Sequence, residues 1–455
     1  MRDFLLEDSI DLERCQIESI GTPKIPSPLN LSTAMDDGIA NYTSDEQRFV
    51  FNPTLESFRV HCSANSEPPS FEAAGPRAKI YFDPSKLRVA IVTCGGLCPG
   101  MNNVIRGLVM GLWYRYEVRR IFGVQYGFQG FIPRYRQPLI ELAPNIVNKI
   151  HNEGGTVLGS SRGHQEPEEI VDALDRSDIQ LLFTIGGDGT LRGSKAIHQE
   201  ITRRGLKIAV IGVPKTIDND IPYVEKTFGF DTAVSLAVDS IRAAHVEAKG
   251  APNGIGLVRV MGRHSGYIAA QAALASREAN LVLIPEQLFD LEGRCGIFRY
   301  LEKRIEEKGH AVVVVAEGAG QEHFPPAEQT DASGNAKLND IGLLLAKRIR
   351  EHFKAIDVPI NLKYIDPSYI IRAAPAIASD SIFCASLATA AVHAGMAGKT
   401  GMVVGLWGGR FVHIPLELVT SGRKQINLDG TLWLGVVEST GQPYLLSDNH
   451  RKEPV

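Results

Sequence analysis

The sequence predicts an α/β fold in which mostly parallel strands alternate with helices. Seven short runs rich in Val, Ile and Leu lie between residues 87 and 409, separated by glycine-rich turns and amphipathic segments. Buried parallel strands have this uninterrupted apolar character because helices cover both faces of their sheet. The units before and after about residue 230 predict two similar lobes, with an active-site cleft between them.

The predicted strands follow one another along the chain. They are 87–94 (LRVAIVTC), 179–186 (IQLLFTIG), 206–213 (LKIAVIGV), 255–262 (IGLVRVMG), 280–286 (NLVLIPE), 310–318 (HAVVVVAEG) and 402–409 (MVVGLWGG). Ligands of such sheets bind at the carboxyl ends of the strands, so functional residues are expected just after these runs. Residues 1–86 are rich in Ser, Pro, Asn and charge and show no sustained period. They predict a partly disordered N-terminal extension, a mobile segment whose deletion leaves folding intact.

The composition excludes several classes of protein. The 455 residues are 44% hydrophobic and carry 48 basic and 52 acidic side chains, for a formal net charge of −4. This balance gives no field for binding nucleic acid, and no apolar run approaches the ~20 residues of a membrane span. The six cysteines form no C-x-x-C pair, which indicates reduced thiols. Acidic residues such as Asp3 and Glu7 are atypical of a signal or transit peptide, so a cytoplasmic protein is expected.

Two glycine-rich segments follow predicted strands. Residues 95–102 (GGLCPGMN) precede a predicted helix, an arrangement that turns main-chain N–H groups toward a phosphate. A tight turn without a ligand explains these glycines equally well. Residues 186–190 (GGDGT), with Gly193 one turn on, combine glycines with an acid that suits Mg²⁺ and phosphoryl transfer. The same short motif also occurs in lipid and nicotinamide-cofactor kinases.

A pair of carboxylates lies in residues 214–220 (PKTIDND). Asp218 and Asp220 stand at i and i+2 on an extended loop, so one is able to accept a hydroxyl proton while the other orients metal or substrate. A turn built of Asp and Asn is the structural alternative. Arg263, Glu317 and residues 363–372 (KYIDPSYIIR) offer further groups for phosphate and sugar hydroxyls.

One segment imitates a phosphate-binding loop. Residues 393–400 (HAGMAGKT) end in the Gly-Lys-Thr of that motif, but His393 stands where the motif requires glycine, and no strand precedes the segment. We interpret the segment as a helix end at Gly398, with Lys399 as a C-terminal charge.

Taken in order, GGLCPGMN, GGDGT, PKTIDND, MGRHSG, AEG and SYIIR resemble the 6-phosphofructokinase family over about residues 87 to 433. The chain is most similar to the plant and protist ATP-dependent branch. The resemblance implies two Rossmann-like lobes: residues 87–228 with 371–422 for the nucleotide, and 229–370 with 423–455 for the sugar phosphate. It also implies phosphorylation of fructose 6-phosphate at the 1-hydroxyl by ATP and Mg²⁺ in glycolysis, by an allosteric homo-oligomer that is tetrameric in the family.

The resemblance assigns roles to the matching positions. Asp218 would be the general base, Asp188 would serve Mg²⁺, and Thr216 and Arg263 would stabilise the transferring phosphoryl group. The nucleotide would contact Gly96, Phe128, Arg162, Gly187, Asp188, Gly189, Thr190 and Gly193. The sugar phosphate would contact Thr216, Asp218, Asp220, Met261, Gly262, Arg263, Glu317, Tyr369 and Arg372, with Lys363 reaching it from a neighbouring subunit.

Several positions depart from the family pattern. Gly254 replaces a second arginine that the family supplies to a neighbouring subunit. In the bacterial effector site, Arg106 is matched but Met110 and His245 replace arginines, so bacterial-type allostery is not expected.

The identity of the phosphoryl donor is predicted from two positions. In the family, Gly189 is typical of ATP users and Lys215 of pyrophosphate users. We weight Gly189 more, because a side chain there would fill the space of the α-phosphate. A pyrophosphate-dependent enzyme and a catalytically silent regulatory subunit are the alternatives, although a silent subunit would be expected to lack an acid such as Asp188 or Asp218.

Overall fold

The predicted α/β fold is confirmed by the structure, a computed structural model that describes residues 10, 12–34, 36–326 and 337–448. Within these ranges the strands form a nine-stranded sheet, a four-stranded sheet and two small two-stranded pairs. No helix of the described part is long and apolar enough to cross a membrane.

The strands are numbered along the chain. They are β1 (Glu18–Ser19), β2 (Ile25–Pro26), β3 (Arg48–Val50), β4 (Ser70–Ala73), β5 (Lys79–Ile80), β6 (Arg88–Thr93), β7 (Arg120–Val124), β8 (Ile140–Glu141), β9 (Leu181–Gly186), β10 (Ala209–Pro214), β11 (Gly254–Val260), β12 (Leu281–Leu283), β13 (His310–Ala316), β14 (Asn361–Ile365), β15 (Lys399–Thr400), β16 (Met402–Trp407) and β17 (Arg410–Pro415).

The α-helices are numbered in the same way. They are α1 (Leu55–Ala64), α2 (Met101–Met110), α3 (Pro144–Val147), α4 (Pro167–Arg176), α5 (Asp188–Arg203), α6 (Phe230–Lys249), α7 (Tyr267–Ser276), α8 (Ile297–Lys308), α9 (Ile341–Ala355), α10 (Ser368–Ala373), α11 (Ala378–Met396), α12 (Leu416–Val419) and α13 (Thr431–Thr440). Short 3-10 turns and one π turn, Gly111–Arg115, connect them.

The large sheet has the order β3-β4-β17-β16-β10-β9-β6-β7-β8 among the described strands. Its centre, from β16 to β7, is parallel, and antiparallel strands close both sides. The predicted runs in β6, β9 and β10 are buried because α2 and α11 cover one face of the sheet while α4 and α5 cover the other. The carboxyl ends of β6, β9 and β10 therefore lie side by side.

The small sheet has the order β12-β13-β11-β14 and is parallel throughout the described strands. Helices α6 and α7 cover one face and α8 and α9 cover the other. One continuous apolar core runs from the large sheet through α2, α11 and α6 to the small sheet. The loop after β10 reaches the loop after β11, where Ser265 Oγ donates to Asp218 O at 2.9 Å. The ends of the two sheets thus meet at one place.

The described part of the extension packs on the large sheet. Strands β3 and β4 add to its edge, and the Phe51 ring stacks on Trp407 with 4.8 Å between centroids. Buried Glu72 accepts from Arg77 Nη2 at 2.6 Å and from Lys399 Nζ at 3.0 Å. Aromatic and ionic groups from both chain ends thus bury one another in the described part, while the disorder and mobility of the extension stay predictions. The lobe boundaries stay a prediction.

The segment that imitates a phosphate-binding loop is structural. Helix α11 ends at Met396, two residues before the predicted Gly398, which has a φ of 80°. The prediction that Lys399 is a charge at a helix end was wrong. Lys399 is buried in β15 and pairs with Glu72 and Asp45, because the chain turns at once into a strand.

Candidate active site

Asp188 begins helix α5 directly after strand β9. Its Oδ2 accepts a hydrogen bond from Arg192 on the same helix and one from Arg423 Nη2 at 3.2 Å. Its Oδ1 is buried and has no hydrogen-bond partner in the part of the chain that the structure describes. Because buried acceptors are nearly always satisfied, this free oxygen points to a ligand that brings its own positive charge or donor.

Asp218 lies in the loop after β10 and is partly buried. Its Oδ1 is buried and has no hydrogen-bond partner among the described residues, and its Oδ2 lies 3.5 Å from the backbone N of Arg263, which is a marginal hydrogen bond. Burial, followed by the nearby carboxylates of Asp220 and Glu317, raises the pKa of the Asp218 carboxyl to about 8. The group is therefore a much stronger proton acceptor than an ordinary aspartate.

Asp220 supports the same loop. Its Oδ1 accepts from Thr216 Oγ1 at 3.1 Å, and Thr216 Oγ1 in turn accepts from the backbone N of Asp218 at 3.1 Å. Burial raises the pKa of Asp220, opposed by the Thr216 hydrogen bond and the charge of Arg423, while the charge of Asp188 adds to the rise. The carboxylates of the two predicted motifs thus act on one another at the ends of the neighbouring strands β9 and β10.

The glycines of the second motif differ in what surrounds them. A Cβ at Gly187 would lie 3.1 Å from Lys215 O, and one at Gly193 would lie 2.8 Å from the Phe128 ring. A Cβ at Gly189 would meet no atom of the described residues within 4 Å. Thr190 is buried behind them. Gly189 therefore borders open space, whereas its neighbours are needed for close packing.

Gly96 of the first glycine-rich segment lies among basic side chains. A Cβ at Gly96 would lie 3.0 Å from Arg162 Nη2 and 3.7 Å from Arg372 Nη1. The buried Lys215 donates from Nζ to Gly96 O at 2.8 Å, and burial lowers its pKa. The first and third motifs are thus joined directly, and three basic side chains converge on one glycine.

The sugar-side residues come from the second sheet. Gly318 N donates to Gly262 O at 3.0 Å, which holds the loop with Met261 and Arg263 beside Glu317. Burial raises the pKa of Glu317, against the lowering effect of neighbouring arginines, Arg259 first.

A sequence profile described as Phosphofructokinase matches residues 88–395. This chain belongs to the phosphofructokinase family. The predicted family resemblance is therefore confirmed, and the matched range contains all six motifs, the four-stranded sheet and strands β6 to β10 of the large sheet.

Phosphofructokinases match this chain over most of its length. ATP-dependent 6-phosphofructokinase of Borreliella burgdorferi is 49% identical over 437 residues, 94% of this chain and 96% of that protein. ATP-dependent 6-phosphofructokinase 7 of Arabidopsis thaliana is 49% identical over 386 residues, 84% of this chain and 79% of the relative. A solved structure of a pyrophosphate-dependent phosphofructokinase from Marinobacter aquaeolei superposes with a TM-score of 0.65 at 21% identity, covering 78% of this chain and 91% of that one. That likeness shows the shared fold.

Two of the predicted site residues are exposed. Tyr369 is 81% exposed, and its ring lies 4.9 Å from the Arg372 guanidinium. Lys363 is exposed on the edge strand β14, and among the described residues it makes no ion pair. Gly254 has no room for a side chain, because a Cβ there would lie 2.0 Å from Ala248 O. The position cannot carry the arginine that the family pattern has.

Sequence reasoning missed a basic pair near the chain end. Arg423 reaches Asp188, and Lys424 N donates to Asp220 O at 2.8 Å. Lys424 Nζ donates to Val224 O at 2.7 Å, and burial lowers the pKa of this lysine to about 7. The pair lies more than 200 residues from the two aspartates it contacts, in a stretch without glycine-rich or acidic motifs. The signal that could have revealed this pair in the sequence was the adjacency of two basic residues.

Proposed function

We propose that this chain is an ATP-dependent 6-phosphofructokinase that phosphorylates the 1-hydroxyl of fructose 6-phosphate, giving fructose 1,6-bisphosphate in glycolysis. Relatives with this named activity match it at 49% identity over nearly its full length. The observation that carries the reaction is Asp218, a buried carboxyl with one free oxygen and a raised pKa at the meeting point of the two lobes.

Asp218 would accept the proton of the sugar hydroxyl as that oxygen attacks the γ-phosphoryl group of ATP. Its raised pKa suits this step, because a base works best when its pKa lies near the operating pH. Thr216 and Arg263 would stabilise the charge of the transferring phosphoryl group. Catalysis of this kind depends on positioning and electrostatics more than on covalent chemistry.

Mg²⁺ fits the residues that are present. The described residues contain no cluster of three or more His, Cys, Asp or Glu able to hold a metal ion. Magnesium in kinase sites needs only one or two carboxylates together with substrate phosphates, and the free Oδ1 of Asp188 is such a ligand. When bound, Mg²⁺ would neutralise phosphate charge during transfer.

The nucleotide and the sugar phosphate would lie on opposite sides of Asp218. Phosphates would occupy the open space beside Gly189, close to Gly187, Thr190 and Gly193, with Gly96, Phe128 and Arg162 completing that side. The sugar phosphate would contact Asp220 in the loop after β10 and Met261, Gly262, Arg263, Glu317, Tyr369 and Arg372 beyond the strands of the second sheet.

The donor assignment depends on the two positions that gave conflicting predictions. Gly189 leaves the space that a nucleotide needs, because nothing lies within 4 Å of a Cβ there. Lys215 favours pyrophosphate by its identity, but its amine is engaged with Gly96 O and does not project toward Gly189. ATP is therefore the donor that the geometry and the named relatives both support.

A homo-oligomer, tetrameric as in the family, and a cytoplasmic location complete the proposal. The exposed Lys363 on an edge strand and the exposed Tyr369 and Ile370 on α10 suit a surface that another copy covers. Light scattering of the purified protein tests the assembly, and a fluorescent fusion tests the location.

The function is tested by forming fructose 1,6-bisphosphate from fructose 6-phosphate and Mg²⁺ with ATP or pyrophosphate as donor. We expect turnover with ATP, and Asp218→Asn is expected to lower kcat by roughly 10²–10⁴ with a smaller effect on KM. Turnover with pyrophosphate alone would instead make Lys215 the determinant. Near wild-type kcat in the variant would remove Asp218 from the reaction.

A further inference from the structure

Arg259 occupies the carboxyl end of β11, the strand between β13 and β14. Val260 pairs with Ala316 on β13, and Val258 pairs with Ile365 on β14. The next residue of each flanking strand is an acid, Glu317 on one side and Asp366 on the other. The parallel register therefore places one arginine between two carboxylates at the rim of the site.

The Arg259 side chain bonds to both acids at once. Its Nη2 donates to Glu317 Oε2 at 3.1 Å, and its Nη1 donates to Asp366 Oδ2 at 2.6 Å. Only 15% of the side chain is exposed, so water does little to screen these ion pairs. A planar guanidinium is able to serve two separated carboxylates in this way, whereas the compact ammonium of lysine is a single point charge.

Asp366 transmits this contact to helix α10. Its Oδ1 accepts from the backbone N of Ser368 at 3.0 Å and from Ser368 Oγ at 2.5 Å, at the first residue of the helix. The same short helix carries Tyr369 and Arg372. The direction in which α10 leaves the sheet is thus tied to Arg259 through one carboxylate.

A third acid adds to the charge around the guanidinium. Asp340 Oδ1 lies 3.8 Å from Arg259 Nε, and Asp340 also caps helix α9 by accepting from Leu343 N at 3.0 Å. Without the arginine, carboxylates from β13, β14 and α9 would face one another in a partly buried place. Glu317 would then lose its principal cationic partner.

We propose that Arg259 is a positioning residue for the sugar-phosphate half of the site. It holds Glu317 and the start of α10 in register with each other, and it acts through them without contacting the substrate. The inference rests on the proposed function, since it deepens the role of Glu317, Tyr369 and Arg372 in binding the sugar phosphate. Arg259 itself makes no hydrogen bond or ion pair with Asp218 within the described part of the chain.

Steady-state kinetics of Arg259→Gln test the proposal. We expect KM for fructose 6-phosphate to rise about 10- to 100-fold, the range for losing a charge-assisted hydrogen bond, while kcat stays within about threefold and KM for ATP is unchanged. Arg259→Lys restores one ion pair, so its KM for fructose 6-phosphate should lie between those of the wild type and Arg259→Gln. Arg348→Gln is the matched control, because Arg348 pairs with Glu292 at 2.7 Å on the surface of α9.

The outcomes separate this inference from the proposed function. A wild-type chain that makes no fructose 1,6-bisphosphate with ATP refutes the proposed function. An active wild type with an unchanged KM for fructose 6-phosphate in Arg259→Gln refutes only the positioning role, as does an equal loss of kcat and of affinity for both substrates. If Arg259→Gln does not fold, Arg259→Lys and Asp366→Asn decide by the same criterion, a selective rise in KM for fructose 6-phosphate.

Discussion

Gly189→Asp places a carboxylate in the space that the proposed function gives to the nucleotide phosphates. The structure makes this a clean perturbation, because a Cβ at Gly189 meets no atom within 4 Å. The same change at Gly193 would displace the Phe128 ring, only 2.8 Å from a Cβ there. A loss of activity in Gly189→Asp will therefore report on the ligand and not on misfolding.

The expected loss follows from the charge that the aspartate adds. A carboxylate about 4 Å from a phosphate charge costs about 4 kcal/mol at an effective dielectric constant near 20. This corresponds to a fall of about 10³-fold in kcat/KM for ATP. Pyrophosphate has no α-phosphate, so its turnover is not expected to fall by the same mechanism.

The assay compares kcat/KM for ATP and for pyrophosphate in the wild type, Gly189→Asp and Gly189→Asn. The asparagine variant has the same size without the charge, so it separates steric blocking from repulsion. Melting temperatures of all three should agree within a few degrees. A Gly189→Asp enzyme that keeps kcat/KM for ATP within tenfold of wild type would refute the assignment of this space to the nucleotide.

Three further predictions follow from the charged groups. Without Mg²⁺, the raised pKa of Asp218 lowers the stability of the fold progressively as pH rises from about 4 to the folded-state pKa near 8. Asp218→Asn lacks this ionisation, so its melting temperature should rise relative to wild type across that window. A pH-independent difference would contradict this. Arg423→Gln removes a cation from Asp188 and should therefore lower kcat/KM for ATP about tenfold. Unchanged kinetics would show that Arg423 has only a structural role. Burial alone would raise the pKa of Glu72, but the His413 hydrogen bond and nearby cations outweigh burial and lower the pKa to about 2. The ionised Glu72 therefore stabilises the folded state above pH about 4.5, and this contribution is lost toward pH 2. Glu72→Gln should cost about 3–5 kcal/mol of stability at pH 7, and urea unfolding in which that difference fails to shrink on acidification would oppose the account.

Much of the fold was predictable because buried parallel strands leave continuous apolar runs. The runs at 87–94, 179–186 and 206–213 coincide with β6, β9 and β10, and the acids Asp188 and Asp218 follow them as expected. The strands of the extension were not predictable. Strand β3 spans only three residues, and its neighbour β4 is buried on both faces by aromatic and charged partners from the other end of the chain. Such short strands carry no period of their own.

The family and the fold class were predictable from the residues alone, because motif order and strand periodicity are properties of neighbouring residues. How distant groups combine became visible in three dimensions only. It tied Lys215 to Gly96, brought Arg423 to Asp188 and placed Arg259 between Glu317 and Asp366. Each of these contacts depends on the register of parallel strands or the return of the chain end. The physical reason is that a charge is stabilised by what lies within a few ångströms in space, and sequence spacing does not encode that distance.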